Sequence, residues 1–331
     1  MTPTAARAEL VLDARCGTGE SPVWDAREQA LYWVDIPERR LHRWDAATGA
    51  ARHWTAPEML ACIARDASRG TAGPGAGSPP DRGAAQGFGH WIAGLETGVF
   101  RLSPRADGAL DAQPLAAVSH AAPGMRFNDG RCDRQGRFWA GTMVMDMAAA
   151  RPAGALHRFD GAPQDGGAAR LAPPALHGLL VPNGLAFSPD GRTMYLSDSH
   201  PQAQAVWAFD YDTAAGVPSR RRLFVDMRPL PGRPDGAAVD ADGCYWICGN
   251  DAGLVHRFTP AGRLDRSLAV PVRKPAMCAF GGPGLDTLFV TSIRPAGADL
   301  SDQPLAGGVF ALRPGVRGLP EPAFAGAAPP P

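Results

Sequence analysis

The sequence predicts an all-β fold, a six-bladed β-propeller with four-stranded blades, and two observations carry that prediction. Apolar stretches are short, rich in Val, Leu, Trp, Phe and Tyr and often alternating, and no long amphipathic helical pattern occurs. The second observation is a repeat. ALYWVDI (30–36), HWIAGL (90–95), RFWAGTM (137–143), TMYLSDS (193–199), CYWICGN (244–250) and TLFVTSI (287–293) look alike, and each is followed by another strand-like segment. Taking Tyr32, Trp91, Phe138, Met194, Tyr245 and Leu288 as equivalent gives steps of 59, 47, 56, 51 and 43 residues.

All-β units of ~40–60 residues are too small to bury their own faces, and stacking six of them around an axis solves that problem. A solenoid would need capping units, which neither end of the chain resembles. AELVLDA (8–14) is therefore expected to pair near GGVFALR (307–313) and close the ring, removing exposed sheet edges. Residues 1–331 read as a single propeller domain. Residues 65–89, RDASRGTAGPGAGSPPDRGAAQGFG, are small, Gly- and Pro-rich, and predict a low-complexity mobile loop within blade 2.

Composition excludes several classes of partner. The 33 basic and 33 acidic residues cancel and Lys274 is the only lysine, so neither nucleic acid nor an anionic membrane is indicated. No apolar stretch suits a signal peptide or the ~18 residues of a membrane span, which predicts a cytoplasmic protein. A monomer is expected, since no heptad or apolar patch can be read. Six cysteines, at 16, 62, 132, 244, 248 and 278, are scattered and read as free thiols. Cys244 and Cys248, four apart on a strand, stand ~13 Å apart, too far to share an ion or a disulfide.

Three stretches stay in register beyond their turn-like dipeptides: RFNDG (126–130), PNGLAF (182–187) and PDGAAV (234–239). Five positions after Asn128, Asn183 and Asp235 come Asp133, Ser188 and Asp240, and eight after come Gly136, Gly191 and Gly243. The later glycines suit the hairpin turns, which moves the earlier pairs to the entry of each blade's innermost strand, at the channel rim. GESPVWD supplies a fourth member without a glycine, with Glu20 in the slot and Asp25 five later. Glu, Asn, Asn and Asp aimed at one axis make an all-oxygen site suited to a divalent cation: Ca²⁺, Mg²⁺ or Mn²⁺, with Zn²⁺ also possible.

These motifs, with YWVDIPERRLHRWD, FDYD and GGVFALRPGVRGLP, give a chain that resembles the family of senescence marker protein (regucalcin), gluconolactonase and luciferin-regenerating enzyme over nearly its whole length. The resemblance implies a six-bladed propeller that binds one divalent cation through Glu20, Asn183 and Asp235. It also implies substrate contacts at Arg126 and Asn128. Two positions after Gly-Thr-Met, where some relatives carry an acidic substrate-contacting residue, this chain has Met145, with Asp146 one step on.

The expected activity is hydrolysis of a sugar lactone to its acid, with the cation polarising the lactone carbonyl and Asp235 as general acid and base. Asp129, on the other face of the strand, is assigned with the substrate-binding group as support for it. A phosphotriesterase-like hydrolase and a non-catalytic calcium-binding propeller are the alternatives. No G-x-S-x-G, H-E-x-x-H or P-loop occurs to support another mechanism. His157 and His256 are expected in blade packing or on the surface, and Trp24, Trp33, Trp139 and Trp246 in the core.

Overall fold

In the computed structural model, which describes residues 7–68, 88–162 and 167–326, six four-stranded antiparallel sheets form a propeller. The chain opens with β1 (Glu9–Leu12). Blade 1 follows as β2 (Gly19–Asp25), β3 (Ala30–Asp35), β4 (Arg40–Asp45) and β5 (Ala51–Thr55). Blade 2 is β6 (Cys62–Arg65), β7 (Trp91–Gly94), β8 (Gly98–Pro104) and β9 (Leu110–Ala117). Blade 3 is β10 (Met125–Cys132), β11 (Phe138–Val144), β12 (Gly154–Phe159) and β13 (Leu176–Leu179). Blade 4 is β14 (Pro182–Phe187), β15 (Thr193–Asp198), β16 (Ala205–Asp212) and β17 (Val217–Asp226). Blade 5 is β18 (Arg233–Val239), β19 (Tyr245–Asn250), β20 (Leu254–Phe258) and β21 (Leu264–Ala269). Blade 6 is β22 (Pro275–Gly281), β23 (Thr287–Ser292) and β24 (Val309–Leu312), completed by β1. That last pairing, Glu9 opposite Ala311 and Leu10 opposite Phe310, is the expected ring closure.

Burial grades outward along each blade. The innermost strands GESPVWD and PNGLAF are buried at every position, while an outer strand such as LDRSLA is almost wholly exposed. Trp24, Trp33, Trp139 and Trp246 are core residues, as are His157 and His256. The inner hairpins turn where the sequence places them. Gly136, Gly191 and Gly243 adopt φ of 83°, 72° and 80°, a left-handed conformation that glycine takes without a Cβ clash. Ahead of each turn a short polar side chain caps backbone N–H groups: Asp133 Oδ1 accepts from Gln135 and Arg137, and Asp240 Oδ1 from Asp242 and Cys244. Asp25 and Ser188 do the same in blades 1 and 4.

The expected loop of blade 2 falls between β6 and β7, whose facing ends, Arg65 and Trp91, lie at the hairpin end of the channel. Residues 69–87 lie outside the described residues. At that same end the C-terminal segment crosses from blade to blade. Gly318 bridges to Asp240, the Glu321 carboxylate pairs with Arg131 at 3.1 Å, and Phe324 bridges to Asp66. No helix among the described residues is long and apolar enough to cross a membrane. All six cysteines are buried and free.

Candidate functional site

At the opposite end, where the innermost strands begin, one backbone irregularity recurs. The pairing of first and second strands shifts register between Glu20 and Val23, Phe127 and Gly130, Asn183 and Ala186, Pro234 and Ala237, and Pro275 and Cys278. Only blade 2 pairs without such a shift. A bulge bends the strand and re-aims the side chain beside it, which turns the candidate residues toward the axis. The glycine after Asn183 answers to this bulge: Gly184 has φ 58°, and a Cβ there would stand 2.5 Å from Tyr245 Oη and 2.7 Å from Ser197 Oγ. Its freed carbonyl accepts the Tyr245 hydroxyl at 2.7 Å. Gly236 is needed for space alone, since its Cβ would fall 2.3 Å from Met277.

Four of the candidate residues form one hydrogen-bonded line across blades 3, 4 and 5. Arg126 Nη1 donates to Asn128 Oδ1 at 2.8 Å, and Asn128 Nδ2 to Asn183 Oδ1 at 3.2 Å. Asn183 Nδ2 then donates to Asp235 Oδ1 at 2.7 Å and to Ser199 Oγ at 2.8 Å. The other carboxylate oxygen of Asp235 accepts Asn250 Nδ2 at 2.6 Å. Glu20 joins them through charge: burial first, then the neighbouring charges of Asp235 and Asp129, push its carboxyl well above the usual range. Burial likewise raises Asp235 to about 7, against the pull of Arg233 and of the Asn250 hydrogen bond, with Asp129 adding to the rise.

Arg126 is enclosed enough that burial lowers its pKa to about 10, with Glu20 opposing the drop, so it stays charged at neutral pH. Beyond its Nη1 bonds to Phe127 O and Asn128 Oδ1, its guanidinium donors have no protein acceptor among the described residues. Asp129 turns away from this line. Its Oδ2 accepts Leu185 N at 2.8 Å, tying blade 3 to blade 4, and its buried Oδ1 has no partner among the described residues. Asp146 caps the short 3-10 turn Met147–Ala149 and Met145 is exposed, so neither joins the line.

The sequence reading missed Asn250 and Ser199, which hold Asp235 and Asn183 from the ends of second strands. Only the polar endings of CYWICGN and TMYLSDS hint at them.

The donor set fits a hard divalent cation. Neither Glu20 nor Asp235 forms an ion pair among the described residues, so two buried carboxylates repel with no cationic partner at hydrogen-bond range. Oxygen ligands of Glu20, Asn183 and Asp235 and a charge of two would relieve that repulsion.

The family model of the SMP-30/Gluconolactonase/LRE-like region matches residues 18–294. A 6-deoxy-6-sulfogluconolactonase of Pseudomonas putida is 39% identical over 311 residues, covering 93% of this chain and 95% of the relative. A pentonolactonase of Haloferax volcanii is 33% identical, covering 94% and 96%. The crystal structure of a calcium-binding protein, regucalcin, from Agrobacterium tumefaciens aligns with a TM-score of 0.80 at 26% identity, covering 97% and 98%.

Proposed function

This chain belongs to the SMP-30/gluconolactonase/LRE-like family, and from that premise we propose that it is a cation-dependent hydrolase of sugar lactones. The observation that carries the reading is the line from Arg126 to Asp235, with the unpaired Glu20 carboxylate beside it. Relatives named for lactones of a sulfonated hexose and of pentoses support a sugar-derived ring as substrate.

A divalent cation held by Glu20, Asn183 and Asp235 would polarise the lactone carbonyl and offset the two buried carboxylates. Arg126 supplies unspent N–H donors for the hydroxyls and carbonyl of a polar substrate, and Asn128 fixes its guanidinium. Asp235 takes a proton from the attacking water and returns it to the ring oxygen as the ester bond breaks. Asn183 and Asn250 each donate to one of its oxygens, so its orientation is set before substrate arrives.

Acid release from a panel of hexono- and pentonolactones, followed at constant pH with calcium, magnesium, manganese or zinc, tests the proposal. Turnover by the wild type and a kcat lowered about 10² to 10⁴-fold in Asp235→Asn are expected. A variant as fast as the wild type removes Asp235 from its role. A cation-loaded protein that opens no lactone overturns the function and leaves a cation-binding propeller.

A further inference from the structure

Outside the channel, blade 1 holds a second set of ligand-type side chains. Cys16 precedes β2, Asp35 ends β3 and His42 lies on β4; all three are buried, with Cys16 and Asp35 each 1% exposed. The Cys16 sulfur, a carboxylate oxygen of Asp35 and a ring nitrogen of His42 lie within 4.8 Å of one another. Cys16 Sγ and His42 Nε2 are 4.0 Å apart.

The same fold position in blade 4 is built without these ligands. Asp35 accepts the backbone N–H groups of Gly17 and Thr18, both at 3.0 Å. Asp198 accepts those of Leu180 and Val181 at 2.8 and 2.9 Å, so the two carboxylates are equivalent clamps on the segment entering the blade. Counting from the clamps and the strand pairing, Cys16 corresponds to Leu179, Trp33 to Leu196 and His42 to Trp207. Blade 4 fills these positions with Leu179, Leu196 and Trp207, none of them a metal ligand, and its clamp forms all the same. The thiol and imidazole of blade 1 are additions to a clamp that works without them.

We propose that Cys16, Asp35 and His42 form a second metal site, selective for a thiophilic divalent cation such as zinc. Sulfur and nitrogen 4.0 Å apart can both reach one ion at Zn–S of about 2.3 Å and Zn–N of about 2.1 Å, and an Asp35 oxygen lies within 4.8 Å of both. The surroundings already orient the ligands. Trp33 Nε1 donates to Cys16 Sγ at 3.4 Å, and the His42 ring stacks on Trp33 at 5.0 Å, which fixes its plane. The Asp35 carboxylate is held by its two backbone donors and keeps lone pairs for an ion. Binding replaces the thiol proton, which leaves to solvent, by the ion. Soft and nitrogen donors separate this site from the all-oxygen channel site. Cys16 also bonds through its backbone to Gly307 and Arg294 of the last blade, so an ion here would fasten the ring-closure segment to blade 1.

Cobalt binding to the full chain is the test, read by metal analysis after dialysis and by the sulfur-to-cobalt charge-transfer band. The wild type is expected to show the band, and Asp235→Asn, altered only in the channel, to keep it. Cys16→Ser should lose the band together with one bound equivalent. No band in the folded wild type at saturating cobalt, or a band that survives Cys16→Ser, overturns the site. If Cys16→Ser fails to fold, His42→Gln decides: an unchanged band and unchanged cobalt affinity overturn the proposal, and a weakened one sustains it.

Discussion

Blades 1 and 4 lie on opposite sides of the ring and are built on one plan, yet they spend their polar residues differently. Each has an aspartate clamp, a bulge and a channel residue, but blade 1 presents an acid, Glu20, where blade 4 presents an amide, Asn183. Asn183 is bonded on both ends of its side chain. Among the described residues the Glu20 carboxylate has the Ser21 backbone as its one hydrogen-bond partner, and burial and Asp235 raise its proton affinity. Blade 1 thus carries charge in excess of what the protein satisfies, and blade 4 orients its neighbours. The backbone is shared but the residue on it is not: Ser21 adopts φ 49° where Gly184 adopts 58°, so blade 1 tolerates a strained non-glycine residue at its bulge.

The comparison breaks most visibly at the clamps. Asp35→Ala removes two charged-acceptor hydrogen bonds, from Gly17 and Thr18, and Asp198→Ala three, from Leu180, Val181 and His200; each strands backbone N–H groups and should lower unfolding free energy by about 3–4 kcal/mol in urea titrations. A loss confined to one of them would show that the clamps are not equivalent. Next comes Gly184→Ser, which copies blade 1 into blade 4. Its Cβ has no room beside Tyr245 and Ser197, so a loss of about 3 kcal/mol is expected where Ser21 is accommodated.

Glu20→Gln sharpens the contrast in charge. After chelation it should be more stable than the wild type by about 1 kcal/mol, because one of two repelling buried carboxylates is gone. Calorimetric titration should show weaker calcium binding in the same variant. A metal-free Glu20→Gln that is less stable would mean that Glu20 has a favourable partner in the protein.

His157, outside both blades, leaves stability at neutral pH unchanged and supplies a control on acid lability. Burial lowers its pKa from 6.5 to about 4, with His120 and His177 adding to the drop, so the folded state binds its proton less readily than the unfolded chain. Its contribution is therefore present above pH 6.5 and lost as pH falls toward 4, at up to about 1.4 kcal/mol per pH unit. His157→Gln should flatten the dependence of the urea midpoint between pH 6.5 and 4.5, and an unchanged slope would place the titration elsewhere.

Much of this was legible in the sequence because the inner hairpins repeat a local grammar. A polar cap and a turn glycine follow each channel residue at fixed offsets, and those offsets revealed Glu20 without a glycine of its own. What lay hidden depends on distant partners. Asn250 is a lone polar residue at a strand end, and only the fold brings it to Asp235. Cys16, Asp35 and His42 have no spacing motif; from the sequence Cys16 is one of six scattered thiols. The bulges were equally unreadable, since register belongs to a pair of strands rather than to either one.

The C-terminal segment that spans the hairpin end, from Gly318 beside Asp240 to Phe324 beside Asp66, has a bearing on turnover. Among the described residues that exit is crossed by backbone and by the Glu321–Arg131 pair. Were substrate to enter at the opposite rim, beside Glu20 and Asp235, a departing acid would have to clear that threshold before a fresh ring could take its place.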